Sequence, residues 1–309
     1  MDPIFARIAQ ETTNFQPGDE ELWRNLYTPF YPSPPPTITV IRDQRYGPHA
    51  RNTLDIFIPS NANTDNAPSH PVLVYVHGGG FFSGDKQWSE QVYSNIGCFF
   101  SQHDIITVII NHRLVPDVQY PGGADDIQMA REWIYANIAS PRFGCGDVDK
   151  VLLLGHSSGG AHVAMNLYAA GDKERTSEVE VFPPVAGVMY LSVPFWYDST
   201  KPVRRRTIGH YYGSDEEGVW GPKSALGLFQ ALPDDSPMLR ETIDATLKFF
   251  NAYRARSTPP GTLPGFHVLK RHNHLSNILS IGTEDTAQGE HLLEFIWSCV
   301  KPGGGDGSR

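Results

Sequence analysis

The chain has 309 residues, enough for one large α/β domain or two small ones. Its residues are 40% hydrophobic and 19% charged, so a globular core can form, and the net charge of −9 argues against a nucleic-acid partner, which requires a basic face. No stretch approaches the roughly 18 consecutive apolar residues of a transmembrane helix, so no membrane span is predicted.

The N-terminal residues and the cysteines bear on cellular location. Residues 1–14 carry an acid at position 2 and no apolar core, so they do not predict a signal peptide. Cys98, Cys145 and Cys299 are an odd number without metal-ligand spacing, which favours free thiols in a reducing compartment. These features predict a cytoplasmic protein.

The first part of the chain ends in a sheet edge. Residues 1–36 are irregular and rich in proline and aromatic side chains, and we expect an N-terminal cap over a site or a wrap around the surface. Two β-rich runs, Thr37–Arg42 and Asn52–Ile58, predict an antiparallel pair at a sheet edge. The elements predicted next are a strand at Pro71–Val76, a helix at Ser89–Phe100, a strand at Ile105–Ile110 and a helix at Ala124–Ala139.

Strands and helices continue to alternate beyond residue 150. Residues 192–223 are polar, aromatic and arginine-containing, and they lie where a lid or the wall of a substrate pocket would be; residues 302–309 predict a disordered tail. The alternation predicts a single α/β domain over residues 1–309, with a mostly parallel central sheet and helices on both faces. The remaining elements predicted are strands at Val151–Gly155, Ala186–Leu191 and Phe266–Leu269, and helices at about 159–170, at Glu241–Arg256 and at 286–300.

A nucleophile motif lies between a predicted strand and a predicted helix. Gly155-His156-Ser157-Ser158-Gly159 reads G-x-S-x-G in the strand–turn–helix context that gives this pattern its meaning. The flanking glycines suit a strained, closely packed turn, in which a Cβ would clash. We therefore predict that Ser157 Oγ is a nucleophile at the carboxyl end of a buried strand.

A glycine-rich loop upstream supplies candidate oxyanion donors. His77-Gly78-Gly79-Gly80 follows a buried strand, so backbone N–H groups can approach a carbonyl oxygen without side-chain hindrance. The expected donors are the N–H groups of Gly79, Gly80 and Ser158, with Gly78 as a further candidate. The other interpretations are a structural turn or a phosphate loop, although neither the G-K-[ST] ending nor the G-x-G-x-x-G pattern of a phosphate loop is present.

The general base is expected after the last predicted strand. His272 and His274 both follow that strand, and His274 is preferred. Two other interpretations stay open: surface histidines, and a zinc site. The zinc site lacks an H-E-x-x-H motif or matching carboxylate spacing, and its ligands would be His267, His272, His274 and His291.

The acid of the triad is the least defined member. Asp244 falls between nucleophile and base in the required order, but the surrounding ETIDATLKFF predicts a helix and the apolar run before it is only PML. Asp234, Asp235 and Glu241 are the alternatives, and an ordinary surface carboxylate is the other interpretation of Asp244.

Four segments together resemble a known family. HGGGFFSGD (77–85), NHRLVPDVQYPGGADDI (111–127), GHSSGGAHVA (155–164) and HNHLS (272–276) resemble the α/β-hydrolases of the hormone-sensitive-lipase-like group, including carboxylesterases and kynurenine formamidases. The resemblance runs from about residue 37 to 300. It implies the α/β-hydrolase fold, a Ser157 nucleophile, a His274 base, oxyanion donors at Gly79, Gly80 and Ser158, and no metal or organic cofactor.

Two departures from the family pattern stand out. The family's long apolar strand before the acid is shortened here, and His156 precedes the serine where lipase-like members commonly have an aspartate. The expected activity is hydrolysis of a small-molecule carboxylic ester through an acyl-enzyme on Ser157.

Other functions are compatible with the same residues. One alternative is an amidase of the kynurenine-formamidase kind, although that branch usually has an aromatic residue where Gly80 stands. Others are a biosynthetic enzyme promoting cyclisation, dehydration or acyl transfer, and a non-catalytic receptor; a homodimer is left open. Arg204–Arg206 would suit an acidic substrate or a solvated surface. Aromatic side chains that could line a pocket or belong to the core are Phe81, Phe82, Trp88, Phe195, Trp196, Tyr197, Tyr211 and Tyr212.

Overall fold

The computed structural model describes residues 19–62, 69–175, 183–234, 243–244, 247–256 and 265–300, together with the single residues 4, 6 and 236. At 243–244 and 247–251 the description is of the backbone alone. The predicted tail at 302–309 and most of residues 1–18 lie outside these ranges.

A seven-stranded sheet forms the centre of the described chain, in the order β1-β2-β4-β3-β5-β6-β7. β1 pairs antiparallel with β2 and β2 with β4, whereas the other neighbours are parallel. The predicted antiparallel edge and the mostly parallel sheet are therefore confirmed. The strands are β1 (Thr39–Arg45), β2 (Thr53–Ile58), β3 (His70–Val76), β4 (Ile106–Ile110), β5 (Gly146–His156), β6 (Gly187–Leu191) and β7 (Ile243–Asp244).

Helices cover both faces of this sheet. Val74 of β3 belongs to one buried apolar cluster with Ile127, whereas Tyr75, the next residue of the strand, belongs to a second cluster with Ile96 and Leu292. Since successive residues of a strand point to opposite faces, a strand that is buried on both must be apolar throughout. The helices are α1 (Asp19–Tyr27), α2 (Ser94–Gln102), α3 (Gly122–Asn137), α4 (Ser158–Leu167), α5 (Pro202–Tyr212), α6 (Glu217–Trp220), α7 (Ala225–Ala231), α8 (Leu247–Arg256), α9 (Ser276–Leu279) and α10 (Ala287–Val300).

Two predictions near the C-terminus are wrong. The helix predicted at 241–256 begins only at Leu247, because Ile243–Asp244 forms β7 and pairs with Val188 and Met189 of β6. Ile243 is β-branched, and pairing with a buried strand outweighs the weak helix preference of so short a segment. The strand predicted at 266–269 is absent from the sheet, and its Phe266 and Val268 are 42% and 65% exposed.

The helix predicted at 89–100 is shorter at its start. Residues 89–93 are turns and bends, and α2 begins at Ser94. Tyr93 has a φ of 59°, which lies in the left-handed region and separates the turns from the helix.

The insertion at 192–223 contains α5 and α6 and packs on the loop that follows β3. The ring of Tyr211 in α5 stacks on Phe81 at 4.2 Å. Most of the aromatic side chains considered for a pocket are therefore core: Phe81, Phe195, Tyr197, Tyr211 and Tyr212 are buried. Phe82 and Trp88 are 42% and 41% exposed.

An ionic network around the buried Asp55 and Lys86 fixes the loop after β3 against the sheet edge. The carboxylate of Asp55, fully buried in β2, lies 2.6 Å from Arg42 Nη1 and 2.7 Å from Lys86 Nζ. Lys86 Nζ also lies 2.7 Å from Asp43, and the Lys86 N–H donates to Asn111 Oδ1 at 2.6 Å. The glycine-rich segment before Lys86 is thus held by charges on two neighbouring strands.

None of the helices in the described ranges is long and apolar enough to span a membrane.

Candidate active site

Ser157 lies at a strained turn between β5 and α4. Its φ of 52° and ψ of −127° are rare for a residue with a Cβ, and its N–H donates to the Leu191 carbonyl at 2.9 Å. The glycines of the motif are needed because the backbone is crowded: a Cβ on Gly155 would lie 2.3 Å from Gly160 Cα, and one on Gly159 would lie 2.3 Å from the His77 carbonyl oxygen. The turn presents Ser157 at the carboxyl edge of the sheet with 9% of its surface exposed.

His274 is placed against Ser157 by the loop before α9. The side chain of Asn273 accepts hydrogen bonds from the N–H groups of Leu275 at 3.0 Å and Ser276 at 2.8 Å, which orders the start of this helix. His274 Nε2 then lies 2.9 Å from Ser157 Oγ. The two side chains are 117 residues apart in sequence.

The surroundings of His274 favour a neutral imidazole. Burial is the main cause that lowers the pKa of His274 to about 4; the positive charge of Arg204 lowers it further, and the negative charge of Glu20 raises it. A neutral imidazole near neutral pH is the form that can accept a proton from a serine hydroxyl.

His272 lies beside a carboxylate rather than beside Ser157. Its Nε2 is 3.0 Å from Asp285 Oδ2. The ring of His267 stacks on His291 at 3.9 Å. Within the described part of the chain, no group of three or more histidine, cysteine or carboxylate side chains could hold a metal ion, so this part provides no support for the zinc alternative.

The candidate acids occupy different places. Asp244 is the last residue of β7, which runs parallel to β6, so its backbone lies toward the same carboxyl edge of the sheet as Ser157. Asp234 is fully exposed and forms an ion pair with Arg256 at 3.1 Å. Asp235 and Glu241 fall outside the described residues.

The glycine-rich loop approaches the nucleophile closely. A Cβ on Gly78 would lie 2.7 Å from Ser157 Cβ, and one on Gly79 would lie 1.9 Å from the backbone oxygen of Ser83. Gly79 and Gly80 have φ values of 136° and 61°, which residues with a Cβ rarely adopt. A Cβ on Gly80 would meet no atom within 4 Å, so this residue faces open space.

Sequence reasoning missed a set of buried histidines behind this loop. The ring of His77 stacks on His112 at 4.5 Å, and His112 lies edge-on to His162 at 4.8 Å. Burial lowers the pKa of all three side chains and so favours their neutral forms. Their signal in the sequence is a histidine in each of the segments HGGG, NHR and GAH, all close to buried strands.

Comparisons with known proteins find a matching family model, similar carboxylesterase sequences and similar esterase structures. A family model described as BD-FAE matches residues 54–188. The chain is 27% identical over 200 residues to probable carboxylesterase 13 of Arabidopsis thaliana; the match covers 61% of this chain and spans 59% of the plant protein's length.

Two solved structures share the fold over nearly the whole chain. Esterase B from Lactobacillus rhamnosis has a TM-score of 0.68 at 17% identity, covering 97% of this chain and 96% of that one. An esterase from the bacterial hormone-sensitive lipase family has a TM-score of 0.63 at 17% identity, covering 97% of both chains. Together with the sequence matches, these similarities confirm the α/β-hydrolase fold and the resemblance that the motifs predict.

Proposed function

Because the chain has the α/β-hydrolase fold and resembles esterases, we propose that it is a serine hydrolase that cleaves small-molecule carboxylic esters. The observation that carries the proposal is the 2.9 Å distance between His274 Nε2 and Ser157 Oγ. A serine hydroxyl is a weak nucleophile, and a neutral imidazole at hydrogen-bond distance is what activates it.

In the proposed mechanism His274 acts first as a base and then as an acid. Its Nε2 takes the proton of Ser157 as Oγ attacks the ester carbonyl, and the resulting imidazolium protonates the departing alcohol. The acyl group then remains on Ser157 Oγ. Water, deprotonated by the same Nε2, attacks the acyl-enzyme and releases the carboxylic acid with a free serine.

The N–H groups of Gly79, Gly80 and Ser158 are the proposed donors to the tetrahedral oxyanion. Support comes from the left-handed backbone of the two glycines and from the close packing of Gly78 on Ser157. Donors held in place by the backbone cost no reorganisation when the negative charge develops, and removing one typically costs about 3 kcal/mol of transition-state stabilisation.

Asp244 is the proposed acid that orients His274. Its support is the strand position, since parallel strands bring their carboxyl ends to one edge of the sheet and Ser157 follows β5 at that edge. Asp234 is a poor candidate because it is fully exposed and paired with Arg256. His272 is likewise a poor base because its Nε2 is paired with Asp285.

Labelling with a fluorophosphonate tests the nucleophile. We expect the unmodified enzyme and Ser158→Ala to be labelled, since that substitution keeps the backbone N–H, and Ser157→Ala to remain unlabelled. Labelling of Ser157→Ala at the normal rate would refute the proposal. Hydrolysis of a p-nitrophenyl ester, compared with the corresponding anilide, then distinguishes an esterase from an amidase.

Turnover of the same ester tests the acid. We expect Asp244→Asn to lower kcat by roughly 10³- to 10⁴-fold, as loss of the orienting carboxylate does in other serine hydrolases. Asp234→Asn is the matched control and should leave kcat unchanged. Full activity of Asp244→Asn would show that another carboxylate orients the base.

A further inference from the structure

His156, the residue before the nucleophile, touches the loop that carries the base. Its side chain is buried, with 2% of the residue exposed, and its Nε2 lies 2.7 Å from the backbone oxygen of His274. The two imidazole rings lie 5.0 Å apart at an angle of 37°. His156 thus joins the turn that presents Ser157 to the segment that presents His274.

The contacts of His156 define its tautomer. Nε2 faces a carbonyl oxygen, which only accepts hydrogen bonds, so Nε2 carries the proton and Nδ1 does not. Nδ1 is buried without a hydrogen-bond partner in the described part of the chain, and a Cβ on Gly78 would lie 3.1 Å from it. Burial, assisted by the neighbouring His274, lowers the pKa of His156 to about 3, so this ring stays neutral near neutral pH.

The base loop has little regular structure of its own to hold it. Residues 266–275 contain neither helix nor strand, and the strand predicted at 266–269 is absent. The turn at Ser157, by contrast, is rigid, because its glycines pack against the backbone of neighbouring segments. A hydrogen bond from that turn to the His274 carbonyl therefore connects a segment without helix or strand to a tightly packed one.

We propose that His156 is a positioning residue for the base: its Nε2–H holds the His274 carbonyl so that the His274 imidazole stays within hydrogen-bond distance of Ser157 Oγ. This inference rests on the proposed function. The aspartate that lipase-like members commonly have at this position would accept hydrogen bonds as a carboxylate and could not donate to a carbonyl. The histidine before the serine is thus a different way of fixing the base.

Replacing His156 with glutamine, methionine or asparagine tests the role. Glutamine can put an N–H donor near the position of Nε2, whereas methionine has a similar length and no donor; asparagine is polar but too short to reach. We expect His156→Met and His156→Asn to lower kcat for a p-nitrophenyl ester by about 100-fold with KM nearly unchanged, because a displacement of about 1 Å costs this much. His156→Gln should retain kcat within about threefold.

The outcomes separate positioning from a merely structural role. Circular dichroism and thermal unfolding identify any variant that fails to fold, and if methionine is not tolerated, the comparison of asparagine with glutamine decides. A kcat for glutamine as low as for methionine or asparagine, or a normal kcat for all three, would overturn the positioning role. An unmodified enzyme that fluorophosphonate does not label would instead refute the proposed function.

Discussion

The effect of its surroundings on the pKa of His274 should be measurable in the acid limb of the pH–rate profile. Burial of His274 lowers its pKa to about 4, whereas an ordinary histidine has a pKa of 6.5. At pH 6.0 an ordinary histidine would be neutral in about a quarter of the molecules, whereas His274 would be neutral in about 99%. The proposed Asp244 carboxylate favours the imidazolium and opposes part of this lowering, so we expect kcat/KM to fall by clearly less than about fourfold between pH 8 and pH 6.0.

The positive charge of Arg204 offers a way to move this limb. Arg204 lies in α5, is exposed, and after burial has the largest effect on the pKa of His274, which its positive charge lowers. Arg204→Gln removes a positive charge that destabilises the imidazolium form of His274, so the pKa of His274 rises and the acid limb moves to higher pH. Arg206→Gln, two residues along the same exposed helix turn, is the control and should leave the limb in place.

The assay is the initial rate of p-nitrophenyl butyrate hydrolysis at low substrate, sampled from pH 8 downward and quenched into alkali before reading. In this regime kcat/KM reports the ionisation of the free enzyme. Circular dichroism at each pH restricts the profile to folded protein. An acid limb centred near pH 6.5 in the unmodified enzyme would refute the reasoning, as would equal shifts in Arg204→Gln and Arg206→Gln.

Three further predictions concern the loop, the ionic network and the buried histidines. Gly79→Ala places a Cβ 1.9 Å from the Ser83 carbonyl oxygen and should lower kcat/KM at least about 100-fold by displacing an oxyanion donor; unchanged kinetics would contradict its role. Asp55→Asn removes the buried counter-charge of Lys86, so it should lower the free energy of unfolding by about 3–5 kcal/mol, measured by urea titration. A loss below about 1 kcal/mol would contradict this. Burial lowers the pKa of His162 in the folded state, so below pH 6.5 the unfolded chain binds more protons and the free energy of unfolding falls as the pH falls. His162→Asn should reduce the slope of the free energy of unfolding against pH by up to about 1.4 kcal/mol per pH unit. An unchanged slope would argue against this.

The sequence by itself determined the fold class and the local turns. Apolar runs such as Pro71–Val76 and Ile105–Ile110 predict strands buried on both faces, and the structure has β3 and β4 there. The glycines of G-x-S-x-G and HGGG are signals of the same kind, because a left-handed φ at Gly79 and Gly80 and close backbone approach at Gly155 and Gly159 disfavour a residue with a Cβ. Each pattern is recognised within a single segment, although the contact that it permits can be to a distant one, as between Gly159 and His77.

Only the tertiary structure decided which distant groups meet. His272 and His274 are two residues apart and alike in sequence, yet one faces Asp285 and the other faces Ser157. The two-residue strand β7 forms only by pairing with β6, so local propensity favoured a helix there. The hydrogen bond from His156 to the His274 carbonyl joins residues 118 apart, and no local pattern encodes a contact that depends on how the whole sheet brings its loops together.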